Sequence, residues 1–379
     1  MNFDWTEQEQ VLRDAVAPLF DEATQRELDE METADPGRLE ALTRGLLSRL
    51  GEVGYLKVAV GEAGRGEIMR WIAAQEVVAQ AAGPLYLAAE VSARLFGGLI
   101  ADHGTEAHKS ALLAPLQAGT LLGAVAGSDA EDGQPSTAVI EGDEAVVTAT
   151  KAYVTNGPVA DWLAVVVQVD GAPAVALVPR NAAGLTRGER LETLGYRGLA
   201  VCPVWCKQVR IPRADLLGPF PDEAALAGLR RTESLVLAGA SVGLATRAFE
   251  AAKAHAQTHQ RGGKEIIRYQ EVRYRLAELL TLVQTAQLTV HRAGWLVADV
   301  DGPEARDAET VVRCAKVFAA EASEQVATAS MQVLAGRGFL TGNPVERAYR
   351  DAKYAALAGT TSEVCRMQIA AELLERHQP

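Results

Sequence analysis

The residues able to do chemistry are few and unevenly placed along the chain. Gly336 and Gly338 flank Arg337 shortly after Gln332, and such a glycine pair lets backbone approach a phosphate group closely. The pair does not follow a strand, as a dinucleotide fingerprint should, and no P-loop occurs. Glu233 opens an apolar, small-residue run, Thr232-Glu233-Ser234-Leu235-Val236-Leu237-Ala238-Gly239-Ala240-Ser241-Val242-Gly243. By itself that placement is what a solvated first helical turn shows. Cys202, Cys206, Cys314 and Cys365 lack paired zinc spacing, and the Cys-x-x-x-Cys pair inside an apparent strand reads as reduced thiols. His103, His108, His255, His291 and His377 show no metal spacing and read as surface or packing residues. No metal site is expected.

The elements that position these residues follow from hydrophobic period. Thr6 and Glu9 form a capping box, and Val11, Leu12, Ala15, Val16, Leu19 and Phe20 follow at helical spacing. Helical segments continue through Leu39–Leu50, Ile68–Ala82 and Leu87–Ala101. Near Gly119 the period changes. Ala145–Thr150, Trp162–Val169, Val175–Val178 and Val201–Ile211 are Val-rich and separated by turns such as Asp170-Gly171. After Leu216-Leu217-Gly218 the helical period returns, with Val272, Leu276, Leu279, Val283, Ala286 and Val290 on one face. Val311, Ala315, Phe318, Ala322, Val326 and Val333 share another, and long amphipathic helices of this kind pack into a bundle. The chain of 379 residues therefore reads as three packed domains: helical (1–118), β (119–220) and helical bundle (221–379). The fold class is α+β multidomain, with a middle β-barrel or sandwich and a C-terminal four-helix bundle.

A net charge of -12 argues against a sequence-independent grip on nucleic acid, which needs clustered Lys and Arg. It leaves room for a local basic pocket facing a phosphorylated ligand. No basic n-region precedes an apolar h-region, and no run of about 18 apolar residues occurs. The expectation is a cytoplasmic protein without a membrane span.

Three C-terminal motifs give the chain a family. Gln332-Val333-Leu334-Ala335-Gly336-Arg337-Gly338-Phe339, Pro344-Val345-Glu346-Arg347-Ala348-Tyr349-Arg350-Asp351-Ala352-Lys353 and Gly359-Thr360-Thr361-Ser362-Glu363-Val364-Cys365-Arg366 resemble, in order and spacing, the signature of the acyl-CoA dehydrogenases. These flavoenzymes desaturate acyl thioesters, and their order of helical, β and bundle domains matches the whole chain. The resemblance implies FAD as cofactor. A flavin needs walls for its ring and donors for its pyrophosphate. Lys151-Ala152-Tyr153-Val154-Thr155-Asn156-Gly157 resembles the segment that meets the flavin ring, giving those roles to Tyr153 and Thr155. Ser128, in Ser128-Asp129-Ala130, corresponds to the loop flanking flavin and thioester. Gln332 and Gly336 correspond to the loop that reaches the adenylate part of a neighbouring subunit's flavin. Thr361 and Glu363 align with residues that meet the diphosphate or ribose; a carboxylate repels a diphosphate, so Glu363 is expected to face a hydroxyl. Leu194-Gly195-Tyr196-Arg197-Gly198 matches as a fold marker.

The chain also departs from the family. An arginine that grips the pyrophosphate across the subunit interface is replaced by His259, in His259-Gln260-Arg261-Gly262-Gly263, with Arg261 able to shift in. A neutral imidazole holds an anion less firmly than a bidentate guanidinium. Ser234 also replaces a common arginine. These changes predict weaker flavin binding, or binding at only some interfaces of an oligomer.

The largest departure concerns the base. Gly359 stands where most members carry the catalytic glutamate, and it retains only the backbone N–H offered to the thioester oxygen. In the isovaleryl-CoA, long-chain and some steroid-CoA members the base lies on the earlier helix, before a similar Leu-Val-Leu-Ala-Gly run, and Glu233 falls on that position. The resemblance thus implies Glu233 as α-proton base and Gly359 as donor, with the small Ala358 and Gly359 widening the acyl pocket for a branched or bulky, steroid-like chain. The carrier is CoA or acyl carrier protein, the acceptor resembles an electron-transfer flavoprotein, and the assembly is a homotetramer or an α2β2 heterotetramer. Alternatives are a subunit of a hetero-oligomeric dehydrogenase, a non-catalytic member of the fold, or a monooxygenase-like or nitroalkane-oxidase-like relative that reacts with oxygen.

Overall fold

The computed structural model describes residues 5–61, 65–129, 135–298 and 307–375. Ala130 of the Ser128-Asp129-Ala130 segment and His377 lie outside the described residues. The capping box forms as the sequence dictates: the Thr6 hydroxyl accepts the Glu9 N–H while Glu9 Oε2 accepts the Thr6 N–H at 2.7 Å, starting helix α1 (Glu7–Val16). Helices α2 (Glu22–Met31), α3 (Pro36–Glu52) and α4 (Arg65–Ala81) follow. Helix α5 (Gly83–Glu90) runs through a π-helical turn at Val91–Phe96 into α6 (Gly97–His103), and the short turns α7 (Glu106–His108) and α8 (Ala114–Gln117) close the section.

Strands β1 (Gly123–Ala126), β2 (Thr137–Glu141), β3 (Glu144–Thr155), β4 (Trp162–Val169), β5 (Ala172–Pro179), β6 (Leu185–Arg187), β7 (Val201–Pro212) and β8 (Leu216–Leu217) form one eight-stranded sheet. Its order is β6-β7-β3-β2-β4-β5-β8, with β1 pairing in parallel to β4. The β3–β7 register slips between Lys151 and Val154. Such an irregularity re-aims side chains at a strand end, and here it leaves Tyr153 72% exposed.

The chain ends in long helices, α9 (Ala227–Thr258), α10 (Gln270–Val297) and α11 (Ala308–Leu334), followed by α12 (Pro344–Asp351), α13 (Tyr354–Leu357) and α14 (Ser362–Glu375). Leu276, Leu279, Val283, Ala286 and Val290 are buried on α10, the face their spacing predicts. On α11 the buried seam runs through Val312, Ala315, Ala319, Ala322 and Val326, one position off the predicted stripe at Val311 and Phe318. Helix α9 is long and apolar enough to cross a membrane, but its apolar window is 78% buried inside the protein; it is the central helix of the bundle. Between α9 and α10, Gly262 and Gly263 at φ +60° and +80° turn a two-residue hairpin joining β9 (Gln260–Arg261) to β10 (Lys264–Glu265).

The C-terminal signature ties the three regions together. On α12, Arg347 pairs with Asp29 at 2.7 Å and with Glu32 at 2.8 Å, and Arg350 pairs with Glu346 at 2.5 Å. Asp351 accepts the Tyr196 N–H at 2.5 Å. A Cβ at Gly195 would lie 2.5 Å from the Arg350 carbonyl oxygen, so the β7-side loop approaches α12 as closely as only glycine permits.

Candidate functional site

Glu233 lies within two turns of the start of α9 at Ala227, half-buried at the edge of the buried run that begins at Ser234. Its carboxylate sits against Gly359: a Cβ built on that glycine would lie 2.7 Å from Oε2, 2.8 Å from Cδ and 3.2 Å from Oε1. These distances fall well inside ordinary contact between non-bonded heavy atoms, about 3.5–4.0 Å. The carboxylate of one position therefore fills the space that a side chain at the other would need. Gly359 adopts φ +59°, a left-handed conformation that glycine takes without strain. The space left by the missing side chain at Gly359 is occupied by the Glu233 carboxylate.

Electrostatics at this point favour a proton-accepting carboxylate. Burial raises the Glu233 pKa above its ordinary value, and Lys316 and Arg230 pull it partway back. Tyr354, on α13, faces the Thr155 side chain at the end of β3 and feels the Glu233 charge; burial raises its own pKa. Its ring packs at 5.0 Å from that of Tyr196. Lys316, on α11, is fully buried and donates from Nζ to the Ala358 carbonyl at 2.9 Å and to the Thr360 carbonyl. Glu233, Gly359, Thr155, Tyr354 and Lys316 thus converge from four separate stretches of chain.

Other anticipated residues adjoin this group. Thr361 caps α14, its Oγ1 accepting the Val364 N–H at 3.3 Å. Glu363 lies in the first turn of α14, exposed and within electrostatic reach of Lys316. Ser128 is exposed beyond β1, and its carbonyl accepts the Ala152 N–H at 3.2 Å, next to Tyr153. The neighbouring Asp129 accepts from the buried Lys151 Nζ at 2.6 Å and from Ser136 Oγ at 2.5 Å.

The rest collect at the opposite end of the bundle. His259 ends α9 and stacks on His255 with centroids 4.7 Å apart. Arg337 faces His255 electrostatically. Arg261 is exposed on the hairpin, its carbonyl accepting from Tyr269 Oη at 2.8 Å. Gln332 is exposed in a groove of about 910 Å³ between α10 and α11 that also contains Arg275 and Glu324. Gly336 has open space around it. The 26 residues from Glu233 to His259 span about 39 Å of helix, so the two groups stand at opposite ends of α9.

Sequence reasoning missed Lys316 and Tyr354. Lys316 carried a signal, since it interrupts the small apolar seam Ala315, Ala319, Ala320 at a helical inside position. Tyr354 carried none, lying between two motifs. Among the described residues no cluster of His, Cys, Asp and Glu assembles a metal site. Cys202, Cys206 and Cys365 are buried and Cys314 is exposed, all as free thiols. His108 pairs with Asp215 at 2.9 Å and His291 with Glu76 at 2.6 Å, which are packing roles.

Comparison with known proteins agrees along the full chain. Sequence profiles of the acyl-CoA dehydrogenase N-terminal, middle and C-terminal domains match residues 6–120, 124–209 and 228–374. The chain is 28% identical to a probable acyl-CoA dehydrogenase, YngJ, of Bacillus subtilis over 392 aligned positions, covering 99% of this chain and 100% of that one. It is 28% identical to the mitochondrial short-chain specific acyl-CoA dehydrogenase of Homo sapiens over 347 positions, covering 88% and 83%. It is also 27% identical to the benzylmalonyl-CoA dehydrogenase of Aromatoleum aromaticum over 390 positions, covering 98% and 100%. In three dimensions it resembles the butyryl-CoA dehydrogenase of Megasphaera elsdenii, with a TM-score of 0.88 over 99% of this chain and 100% of that one at 21% identity. The chain belongs to the acyl-CoA dehydrogenase family and is a FAD-dependent oxidoreductase.

Proposed function

We propose that this chain desaturates an acyl-CoA between its α and β carbons with Glu233 as the α-proton base. The observation that carries the reading is the juxtaposition of the Glu233 carboxylate with the Gly359 backbone, at 2.7 Å from the position of the absent Cβ. A base must lie within reach of the proton it removes and have a pKa lifted toward working pH. Burial supplies the lift at Glu233. The Gly359 N–H, which finds no acceptor among the described residues, is the donor for the thioester oxygen, where negative charge grows as the α-proton leaves.

The residues present fit a flavin. Tyr153 offers an exposed aromatic face, Thr155 offers a hydroxyl, and the capped start of α14 at Thr361 and Ser362 offers N–H groups to an anion. Ser128 borders the same face, and Glu363 is the acceptor for a hydroxyl of the bound group. When bound, FAD accepts the hydride from the β-carbon. His259, Arg261, Gln332 and Gly336, about 39 Å along α9 from the base, are too far away to hold the same dinucleotide within one chain. They are the side that meets a second subunit's flavin, in a homotetramer or an α2β2 heterotetramer. Large exposed apolar side chains on the same end, Phe339 (80%) and Leu340 (65%), together with Met367 on α14 (71%), favour such an assembly. Electrons then pass to an acceptor of the electron-transfer flavoprotein type.

For the acyl group we propose a compact chain carried on CoA. Glu233 fills the space on which a bulky or steroid-like chain was expected to rely, and Tyr354, which feels the Glu233 charge, packs on the Tyr196 ring. Relatives named for short chains favour the same reading. The test is anaerobic bleaching of the purified flavoprotein. Butyryl-CoA should bleach it, and a bulky branched acyl-CoA should do so more slowly. A yellow protein that no acyl-CoA reduces refutes the activity, and faster reduction by the branched substrate refutes the chain-length assignment alone.

A further inference from the structure

Lys316 is a fully buried cation beside Gly359, 0% exposed among Ala315, Ala319, Ala320 and Ser323. A lysine is almost never sealed in unless partnered, and its partners here are unusual. Nζ donates to two backbone carbonyls, Ala358 at 2.9 Å and Thr360, and these bracket Gly359. A trans peptide points its C=O and N–H in opposite directions. Fastening the Ala358 carbonyl to α11 therefore turns the Gly359 N–H away from α11. The left-handed backbone at Gly359, φ +59°, is held from both sides by one ammonium group.

We propose that Lys316 is a positioning residue for the desaturation reaction: it fixes the Ala358 and Thr360 carbonyls so that the Gly359 N–H is aimed at the thioester oxygen, next to the Glu233 carboxylate. The inference rests on the reading of Glu233 as base and Gly359 as donor. The second consequence is electrostatic. Glu233 faces Lys316 from α11, Arg230 from its own helix and the Tyr354 hydroxyl from α13. Lys316 in turn faces Glu233, Glu363 and Cys365. Removing the ammonium deletes one of the two cations that hold the Glu233 pKa down.

The test follows α-proton exchange, a readout that precedes hydride transfer. Holoenzyme is mixed anaerobically with butyryl-CoA in deuterated buffer, and label entering the α-carbon is followed by NMR across pH. In Lys316→Gln the exchange should slow by about 10²-fold, the loss expected when a catalytic group is misplaced by about 1 Å. Its base limb should move to higher pH, which a merely structural residue would not cause. In Lys316→Arg, which keeps the charge but has a longer reach, the limb should stay in place while the rate falls. Circular dichroism and flavin content establish folding, and if the Gln variant does not fold, a wild-type rate in the Arg variant overturns the proposal. A folded Gln variant with wild-type rate and pH limb overturns it equally. Exchange abolished by Glu233→Gln but untouched in both Lys316 variants overturns this inference alone. Wild-type exchange unaffected by Glu233→Gln overturns the base assignment and this inference with it.

Discussion

If the Glu233 carboxylate occupies the place of a side chain at position 359, then the base can be moved between the two positions. In Glu233→Gln the acid–base group is lost while shape is kept, and the rate of flavin reduction by butyryl-CoA should fall by about 10²–10⁴-fold. Gly359→Glu in the native background should also lose activity. Its Cβ would lie 2.7 Å from Glu233 Oε2, and its backbone at φ +59° would carry a strain of about 1–2 kcal/mol. Two carboxylates in one site also cannot both ionise readily, which raises the pKa of one of them. Combining Glu233→Gly with Gly359→Glu removes both the steric and the like-charge conflict and leaves only the backbone strain. A strain of that size corresponds to about a tenfold effect if it fell wholly on the transition state. The double variant should therefore react faster than either single variant and more slowly than the native protein. Stopped-flow bleaching of the bound flavin measures the native protein, the single variants Glu233→Gln, Glu233→Gly and Gly359→Glu, and the double variant. A double variant no faster than Glu233→Gly refutes the shared-space geometry, and a Glu233→Gln rate equal to the native one refutes the base itself.

Stability gives further checks. Glu233 has a folded pKa raised above its ordinary 4.5, so the folded form binds the proton more tightly than the unfolded form, and stability falls as pH rises through this window. Glu233→Gln should accordingly melt at a higher temperature than the native protein at neutral pH, with the gain vanishing below about pH 4.5. Asp351 is pushed from 3.8 up to about 6, chiefly by burial, and the same sign applies; Asp351→Asn should flatten the melting-temperature profile between about pH 4 and 6. An unaltered slope across that interval would contradict the assignment. Gly262→Ala should destabilise by about 1–2 kcal/mol, because φ is +60° and the new Cβ would meet Tyr269 Oη at 2.8 Å, and chemical denaturation reads the loss directly.

Local pattern carried much of the fold. The capping box at Thr6 and Glu9 and the buried face of α10 followed from short-range spacing, since helix period and side-chain chemistry act within a few residues. The long Val-rich strands β3, β4, β5 and β7 were legible for the same reason. Strands β1 and β6 were not: Gly123–Ala126 and Leu185–Arg187 have little strand character of their own and exist because β4 and β7 pair with them. On α11 the buried seam keeps Ala315, Ala322 and Val326 of the expected stripe but also takes in Lys316. A sequence pattern assigns a lysine to solvent, whereas two inward-facing carbonyls make burial tolerable here. That the Glu233 carboxylate fills the space beside Gly359 joins residues far apart in the chain, which local pattern does not encode.

By itself the sequence determined the family, the order of helical, β and bundle regions, the loss of a carboxylate at Gly359 and the candidate carboxylate at Glu233. Those are matters of residue identity and local spacing. Only the tertiary structure decided that the two positions share one volume, that Tyr354 and Thr155 lie near the same point, and that a buried Lys316 fastens the backbone on either side of Gly359. The packing of α9 against α11 and α13 sets those contacts between residues far apart in the chain, and no propensity within a single segment encodes them.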